Sequence, residues 1–490
     1  MEIPKEIISI IRKLNKAGFE AYVVGGCVRD LARGAEPQDW DIATNAKPEE
    51  IKKVFPDSFY ENNFFTVTAH TSSKKPNLKE VEITTFRLEA KYTDKRHPDE
   101  IRFAKTLEED LARRDFTINA MALKISGARS IKIEIIDPFQ GREDFKKKVI
   151  RTVGIADERF NEDALRMMRA IRLTATLADG WIIEEKTAEA VKKHAQWIKV
   201  ISHERIRDEL VKIIMSPRAF EGIELLRKLG LLTYILPELE EGCSVSQNKH
   251  HIYECYEHNL LSLKYASEQN FSKEIRIASL FHDIGKPRAK AGQGLDSTFY
   301  NHEIIGARMT EQILNRLKFP KKETEKIVRL VRYHLFYYNV GEVSESSVRR
   351  LVREAGPENM EDLLKVRMAD RIGSGVPKAE PYKLRHLKYV IDKVSQDPIS
   401  SKMLKIDGNA IMKILGIKPG PAIGHYLDIL LGEVLEDPKK NKKEFLVKQT
   451  NKLGKMKIKE LENLAKKAKE ERMKVETKRD EMTKNKYWVT

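Results

Sequence analysis

Two aspartates separated by one residue, Asp39 and Asp41, stand in the sequence DWDIAT. On a β-strand alternate side chains point to the same face, so the two carboxylates are predicted to lie about 7 Å apart on one face. Two divalent ions about 4 Å apart suit such ligands, and they would activate a hydroxyl and stabilise the leaving oxygen of an in-line displacement at a triphosphate. Lone Asp-x-Asp pairs are common on protein surfaces, so the neighbouring motifs decide this interpretation.

A glycine-rich turn, GGCVRD, precedes the two aspartates. Tyr22, Val23 and Val24 before it are predicted to form a strand, and a helix is predicted to begin near Val28. Glycines in such a turn let backbone amides approach phosphates, so a triphosphate is expected at the N-terminus of that helix. The sequence RRDFTINAMA follows later in the same stretch. The three motifs in this order are much rarer by chance than any one of them.

The chain resembles the superfamily of class II tRNA nucleotidyltransferases and bacterial poly(A) polymerases. Three further motifs carry this resemblance, which covers nearly all of residues 20–240: VEITTFR (81–87), IDPFQGREDF (136–145) and RTVGIADERFNEDALRMMRAIRL (151–173). The resemblance implies an α+β head with a polymerase-β-like nucleotidyltransferase palm, followed by a mostly α-helical neck, body and tail.

The resemblance also implies roles for single residues of the head. Asp39 and Asp41 would be the metal ligands, with Mg²⁺ as the ion, and Glu82 would be a third carboxylate or, alternatively, an ordinary exposed strand residue. The expected nucleotide-binding residues are Gly25, Gly26, Arg29, Asp30, Arg113, Arg114, Asp115, Asn119, Asp163, Arg166 and Arg169. Among these, Arg29 and Asp30 would contact the triphosphate and organise the metal ligands, and Arg113 and Arg114 would face phosphate. Asp115 and Asn119 resemble residues that sense the ribose 2′-hydroxyl.

The nucleobase is expected to be selected in the sequence NEDALRMMR. Glu162, Asp163, Arg166 and Arg169 fall at helical spacing there, and Asp163 and Arg166 are predicted to share one helix face. A simple helix salt bridge is the alternative. In the context of the family, an arginine and a carboxylate offer donors and acceptors to the Watson–Crick edges of cytosine and adenine, so that protein replaces a nucleic-acid template.

A second group of chemically capable residues follows the order H…HD…D: His258, His282, Asp283 and Asp370. His302 and His334 lie between its members. Imidazoles and carboxylates from several helices around one cavity suit divalent metals with open positions for water. This part resembles the HD metal-dependent phosphohydrolase superfamily, which implies that the four residues hold a metal, and imidazole ligands favour Ni²⁺ or Mn²⁺ over Mg²⁺. An HD fold that only holds RNA is the alternative.

Five segments are expected along the chain. They are the head (1–150), a neck and body with the nucleobase-selecting helix (151–249), an HD domain (250–375), a helical tail that contacts tRNA (376–450) and a charged C-terminal helix (451–490). Residues 405–435 are predicted to form two helices around a glycine-rich turn, which either grips a phosphate backbone or is a plain hairpin. Residues 452–486 contain thirteen Lys or Arg against seven Asp or Glu, as expected for a solvated basic helix with an apolar stripe from Ile458 to Ala468.

Composition agrees with several folded domains and a polyanionic partner. The chain has 490 residues, 41% of them hydrophobic, and a formal net charge of +16. Its three cysteines (Cys27, Cys243 and Cys255) form no CxxC pair, and no apolar run approaches about 20 residues. We therefore expect a reduced cytoplasm and no membrane association, while the composition assigns no oligomeric state.

The combined patterns predict template-independent addition of C, C and A to the 3′ end of tRNA from CTP and ATP, with release of pyrophosphate, and a phosphohydrolase acting on RNA ends. An A-adding enzyme, a poly(A) polymerase, and an HD hydrolase with an RNA-binding head are the alternatives. The segment 91–103 resembles a loop that A-incorporating enzymes possess and CC-only enzymes lack, although Asp94, Lys95 and Arg96 stand where the family has Asp-Gly-Arg. The HD domain and the tail disfavour poly(A) polymerase.

Overall fold

The computed structural model describes residues 2–61, 65–90, 100–127, 131–177, 179–247, 252–292, 294–395 and 401–489. Two compact units are present. The first comprises Met1–His334 and Asp362–Pro377, and the second comprises Leu335–Glu361 and Lys378–Thr490. The head and all residues of the predicted metal sites belong to the first unit.

The head is an α+β structure whose elements alternate along the chain. They are α1 (Lys5–Lys16), β1 (Ala21–Val24), α2 (Gly26–Ala32), β2 (Asp41–Thr44), α3 (Pro48–Val54), β3 (Ser58–Glu61), β4 (Thr66–His70), α4 (Pro76–Lys79), β5 (Glu80–Thr85), β6 (Arg87–Ala90), β7 (Glu100–Phe103), α5 (Leu107–Ala112), β8 (Ala122–Ser126), β9 (Lys132–Ile136), α6 (Gly141–Lys147) and β10 (Val149–Ile150). Seven strands form one sheet in the order β3-β4-β5-β2-β1-β8-β9. Strands β2 and β5 are parallel, and the other neighbours are antiparallel.

Both faces of the central strand β1 are buried. Val23 belongs to a core formed with Ile7 and Ile11 of α1, whereas Tyr22 and Val24 belong to a second core formed with helix α5. A short continuous apolar run such as AYVV is typical of a strand covered on both sides. This confirms the strand predicted before the glycine turn.

The rest of the first unit is mainly helical. Its elements are α7 (Ala156–Glu162), α8 (Leu165–Thr176), β11 (Ile182–Ile183), α9 (Glu185–His194), α10 (His203–Ile214), α11 (Ala219–Lys228), α12 (Leu232–Ile235), α13 (Pro237–Glu240), α14 (Cys255–Glu268), α15 (Lys273–Phe281), α16 (Lys286–Ala289), α17 (His302–Arg316) and α18 (Lys321–Tyr333). The mostly helical neck and body predicted after the head is confirmed; its first helix ends at Glu162, and a new one begins at Leu165.

Helices also make up the second unit. They are α19 (Glu345–Ala355), the first two residues of α20 (Met360–Gly373, whose remainder belongs to the first unit), α21 (Tyr382–Ser395), α22 (Gly408–Leu415), α23 (Pro421–Glu436), α24 (Lys443–Leu453) and α25 (Ile458–Lys486). Helices α22 and α23 flank the predicted glycine-rich turn. In α25 the apolar stripe is narrower than predicted, because Leu461, Ala465 and Ala468 are buried while Ile458 is exposed.

The fold class predicted from the sequence is confirmed, with a palm-like head followed by helices. The five domain boundaries stay a prediction. Within the described ranges, no helix has both the length and the apolar composition that crossing a bilayer requires.

Gly285 provides a test of close packing in this fold. A β-carbon at this position would lie 2.2 Å from the carbonyl oxygen of His302 and 2.5 Å from the amide nitrogen of Gly306, both backbone atoms of α17. Because a backbone cannot move aside as a side chain can, Gly285→Ala is expected to lower the free energy of unfolding by about 1–3 kcal/mol. Thermal unfolding followed by circular dichroism measures this. Gly424→Ala is the control, since nothing lies within 4 Å of that β-carbon, and an equal loss in both variants would contradict the packing argument.

Candidate active site and candidate metal centre

The carboxylates of Asp41 and Glu82 are neighbours on the central sheet. Asp41 is the first residue of β2 and is paired with Glu82 of the parallel strand β5 and with Val24 of β1. Paired residues on adjacent strands point to the same face, so the two carboxylates project together. They open into a cavity of about 320 Å³, whose lining residues are Val24, Asp41, Ile42, Thr66, Glu82, Thr84, Arg87, Arg113 and Arg114.

Asp39 lies outside the strand, which begins only at Asp41, so the prediction that one strand carries both aspartates is wrong. It is exposed in the bend before β2, and the intervening Trp40 is buried. Burial raises the pKa of Asp41, the negative charge of Asp39 raises it further, and the guanidinium of Arg114 opposes both effects. A carboxylate whose charge is incompletely compensated in this way fits a divalent cation.

The glycine turn packs directly against these groups. Gly25 has a φ of 83°, and a β-carbon there would lie 2.9 Å from Nη1 of Arg114 and 3.3 Å from Oδ2 of Asp41. Glycine is therefore required both by the backbone conformation and by the close approach. Helix α2 begins directly afterwards at Gly26, two residues earlier than the predicted start near Val28.

Asp110 fixes the two arginines at the cavity. Its Oδ1 accepts hydrogen bonds from Nε and Nη2 of Arg113 at 3.0 and 2.8 Å, and its Oδ2 lies 3.3 Å from Nη2 of Arg114. Burial would raise the pKa of Asp110, but the two guanidinium groups outweigh it and lower that pKa. Sequence reasoning missed Asp110, although its position three and four residues before the arginine pair is a helical-spacing signal.

A buried polar network connects the glycine turn to α8. Arg29 is paired with Asp30 at 3.0 Å and donates from Nη1 to Oδ1 of Asn119 at 2.7 Å. Asn119 donates to Oδ1 of Asp115 at 3.0 Å, and Oδ2 of Asp115 accepts from Nε of Arg169 at 2.8 Å. Burial opposes ionisation of Asp115, but Arg169 and Asn119 hold its pKa well below the usual range. The structure thus brings together five of the residues predicted to bind nucleotide.

Asp163 and Arg166 do not share a helix face, and that prediction is wrong. Asp163 has an extended backbone, with φ −147° and ψ 103°, between α7 and α8. Its Oδ2 accepts from Arg205 of α10 at 2.7 Å, whereas Nη1 of Arg166 donates to Glu162 at 2.5 Å. The prediction from helical spacing failed because one continuous helix does not run through Asp163. The Oδ1 atom of Asp163 accepts a hydrogen bond from the amide of Leu165 at 3.0 Å, and a new helix begins at Leu165.

The four predicted HD residues converge on one buried point. The Nε2 atoms of His258 and His282 are 2.9 Å apart and lie 3.1 and 3.3 Å from Oδ2 of Asp283. Oδ1 of Asp370 lies 3.4 Å from His258 Nε2 and 3.6 Å from His282 Nε2. One ligand atom from each residue falls within 4.8 Å of the others. The sequence prediction of this group is therefore supported geometrically.

His302 and His334 extend the cluster on the other side of Asp283. Their Nε2 atoms lie 3.2 and 3.4 Å from Oδ1 of Asp283, the oxygen that faces away from the first pair of histidines. The Nε2 atom of His302 is buried without a hydrogen bond in the described structure. A metal ion would use this atom, so the donor set fits. Both histidines lie in the sequence between the His282–Asp283 pair and Asp370, and this position could have indicated a role in the cluster. Sequence reasoning did not assign them as ligands.

Three of the four histidine rings are oriented by their other nitrogen. The Nδ1 atoms of His282, His302 and His334 lie 2.7–2.8 Å from the carbonyl oxygens of the residues three positions earlier. Nδ1–H donation to a carbonyl leaves Nε2 facing the cluster, which is the usual arrangement of metal-binding histidines. Burial alone would lower the pKa of His282, but the carboxylates of Asp283 and Asp370 raise it to about 10. Lys286 adds a buried positive charge, with Nζ 2.6 Å from Oδ2 of Asp283.

The loop predicted from residues 91–103 lies mostly outside the described residues. Asp94, Lys95 and Arg96 are among the residues that the structure does not describe. Strand β6 precedes this segment, and β7 forms its last four residues; the two strands are antiparallel.

Three family models match consecutive parts of the chain. A model described as the poly A polymerase head domain matches residues 21–151, one described as the probable RNA and SrmB-binding site of polymerase A matches residues 180–243, and one described as the HD domain matches residues 251–373. Both chemical sites described above fall inside matched regions, the sheet cavity in the first and the histidine cluster in the third.

Whole proteins and solved structures agree with these models. The CCA-adding enzyme of Lactobacillus delbrueckii subsp. bulgaricus is 33% identical over 430 residues, 87% of this chain and 92% of that protein. The CCA-adding enzyme of Ligilactobacillus salivarius is 33% identical over 460 residues, 93% of this chain and 98% of that protein. The crystal structure of the Bacillus stearothermophilus CCA-adding enzyme in complex with CTP has a TM-score of 0.58 at 28% identity and covers 92% of this chain and 98% of its own. Because such relatives are matched over nearly their whole length, the chain belongs to the family of bacterial CCA-adding enzymes with an HD domain.

Proposed function

We propose that this chain completes the 3′ end of tRNA by adding C, C and A one at a time from CTP and ATP, with release of pyrophosphate. The observation that carries the proposal is the pairing of Asp41 with Glu82 at a cavity that also contains Arg113 and Arg114. Carboxylates for divalent ions and guanidinium groups for a polyphosphate are the groups that nucleotidyl transfer requires. The CCA-adding relatives indicate tRNA as the acceptor, and we place the reaction in the cytoplasm, where tRNA and nucleotides meet.

Asp39 and Asp41 are the proposed ligands of Mg²⁺, with Glu82 as a third carboxylate. When bound, Mg²⁺ would promote deprotonation of the tRNA 3′-hydroxyl and neutralise charge on the departing pyrophosphate. The residues of the chain hold the metal ligands and the phosphate-binding groups in place. Asp41 is fixed by its strand, and Asp110 holds Arg113 and Arg114 at the cavity, where their positive charges would face the phosphates of the incoming nucleotide.

The glycine turn and the polar network are the proposed binding site for the rest of the nucleotide. The turn from Gly25 to Asp30 would lie against the triphosphate, and Asp115 with Asn119 would contact the ribose. Asp163, at the junction of α7 and α8, would accept a hydrogen bond from the amino group that cytosine and adenine share. Arg166 and Arg169 hold this junction against the head through the carbonyl of Arg113 and the carboxylate of Asp115.

One assay separates the proposed activity from its alternatives. The full chain is incubated with tRNA that lacks CCA, lacks only the final A, or is complete, together with single labelled nucleotides. Addition of C, C and A to the first substrate and of A to the second is the expected result. Extension of only the second substrate would indicate an A-adding enzyme, and long A tails on any of them a poly(A) polymerase.

Asp41→Asn tests the catalytic centre. We expect addition of both CTP and ATP to fall by at least about a thousandfold, because the variant loses a ligand for the ion that stabilises the transition state. Binding of tRNA should change little, since phosphate contacts elsewhere dominate RNA affinity. Single-turnover extension and a filter-binding assay measure the two effects. Asp57→Asn, at an exposed aspartate of the same domain, is the control, and near-normal addition by Asp41→Asn would contradict the assignment.

A second function, metal-dependent hydrolysis of phosphate esters on RNA ends, is favoured by the buried histidine cluster. We propose two metal positions that share Asp283, one held by His258, His282 and Asp370 and the other by His302 and His334. Bound metal would supply hydroxide at neutral pH. Terminal or 2′,3′-cyclic phosphates are suitable substrates, because their removal regenerates the hydroxyl that the head extends. Imidazole ligands favour Ni²⁺ or Mn²⁺ over Mg²⁺ here.

The two positions predict different losses of metal. After loading with Mn²⁺ and desalting, the wild-type chain is expected to retain two ions in the cluster, measured by elemental analysis. The double change His302→Ala, His334→Ala should remove about one ion, and His282→Ala, Asp283→Ala should remove both together with the hydrolysis of a 2′,3′-cyclic phosphate. Nucleotide addition should continue in both variants. His203→Ala, at an exposed histidine, is the control, and unchanged metal content in the variants would refute the site.

A further inference from the structure

The histidine cluster is buried, and the exposure of its side chains shows from which sides a substrate can reach it. Four of the six side chains are at most 3% exposed, whereas those of His302 and Asp370 are 7% and 9% exposed. A phosphate ester has to reach the cluster from solvent. The two more exposed residues therefore mark the two sides from which it can approach.

The side at Asp370 carries a guanidinium group. Oδ1 of Asp370 faces His258 and His282, while its Oδ2 accepts a hydrogen bond from Nη1 of Arg367 at 2.5 Å. Arg367 precedes Asp370 by three residues on α20, and its side chain is 27% exposed. This guanidinium is thus in contact both with a carboxylate of the buried cluster and with solvent.

Arg371 adds a second positive charge on the same helix. It follows Arg367 by four residues, so the two side chains leave the same face of α20, and it is half-buried. Burial and the positive charge of Arg367 lower the pKa of Arg371, while the carboxylate of Asp370 opposes both effects. Two like charges one helical turn apart repel each other, and an anion bound beside them relieves that repulsion.

The side at His302 has a different balance of charge. Oε2 of Glu303 lies 4.0 Å from Nδ1 of His302, and Oε1 of Glu303 lies 3.3 Å from Nη1 of Arg332. This carboxylate repels a phosphate and compensates the charge of Arg332. The carboxylate of Asp370, in contrast, is a proposed metal ligand, so a bound cation would compensate its charge and leave that of Arg367 for a substrate.

We propose that Arg367 and Arg371 form an anion subsite that holds the terminal phosphate group of an RNA end at the Asp370 side of the histidine cluster. A guanidinium suits this ligand, because its planar set of N–H donors binds phosphate oxygens in pairs. The inference rests on the proposed hydrolysis of phosphate esters, since it names the residues that would bind the phosphate. The competing explanation is that Arg367 only orients Asp370, which predicts a loss of metal when Arg367 is changed.

Inorganic phosphate, the product released when water removes a terminal phosphate from RNA, serves as the probe. The full chain is loaded with Mn²⁺ and desalted, its metal content is measured by elemental analysis, and phosphate is titrated into it in a calorimeter. The variants of the subsite are Arg367→Met, Arg367→Lys and Arg371→Met. Arg332→Met removes the guanidinium on the other side of the cluster. Arg288→Met is the matched control, since Arg288 is paired at 2.6 Å with Glu241, outside the cluster.

Arg367→Met is expected to retain the Mn²⁺ content of the wild type and to bind phosphate at least about tenfold more weakly, because charge-assisted hydrogen bonds are lost. Arg367→Lys should recover part of the affinity, and Arg371→Met should show a smaller loss. Arg332→Met and the control should bind phosphate as the wild type does. The KM for an RNA oligonucleotide with a 3′-terminal phosphate should rise in Arg367→Met by a similar factor, while binding of the same oligonucleotide with a 3′-hydroxyl should not change.

The proposal is overturned if Arg367→Met loses Mn²⁺, if it binds phosphate as tightly as the wild type, or if Arg332→Met weakens phosphate binding more than Arg367→Met does. It is also overturned if the Mn²⁺-loaded wild type binds no phosphate. Should Arg367→Met not fold, an unchanged phosphate affinity of Arg371→Met overturns it equally. A wild-type chain that retains no Mn²⁺ and hydrolyses no phosphate ester would instead refute the proposed hydrolytic function itself.

Discussion

The parallel pairing of β2 with β5 is the constraint on which the catalytic arrangement depends. It sets Asp41 beside Glu82 on one face, while Ile42 and Ile83, the next pair in register, are fully buried on the other. A slip of one residue would turn each isoleucine toward the cavity and each carboxylate into the apolar core. The hydrophobic core beneath helix α1 thus determines where the carboxylates lie.

Charged groups around the cavity are positioned from neighbouring elements. Arg114 lies against Gly25 because residue 25 has no side chain, and Asp110 fixes Arg113 and Arg114 from the preceding helix turn. The guanidinium groups of Arg113 and Arg114 are therefore anchored by the same buried carboxylate. Such anchoring lets a site hold several like charges in a preformed geometry before a triphosphate compensates them.

In the histidine cluster, the ends of helices position the side chains, as the paired strands do in the head. His282 and His334 are the C-terminal cap residues of α15 and α18, where the last carbonyl groups of a helix lack intrahelical partners. Those carbonyls lie within hydrogen-bond distance of the Nδ1 atoms, so each ring directs Nε2 inward toward Asp283. The buried carboxylate at the centre is surrounded by imidazoles on both of its oxygens. Its two oxygens therefore face two different groups of residues, His258, His282 and Asp370 on one side and His302 and His334 on the other.

The sequence by itself determined the chemical nature of both sites, because the glycine turn, the aspartates, the RRD motif and the HD order are local patterns whose residue types carry the chemistry. The family resemblance that these motifs carry also predicted the α+β head and the helical remainder, because the motifs can be recognised without knowing which distant segments pack together. Only the tertiary structure decided the arrangements that depend on long-range contacts or on breaks in regular structure. Asp163 starts a new helix by accepting a hydrogen bond from Leu165, so helical spacing could not place it relative to Arg166. Arg205 lies far along the chain from Asp163, and His302 lies far from His258. Only packing between helices brings Arg205 to the Asp163 carboxylate and His302 to the cluster around Asp283.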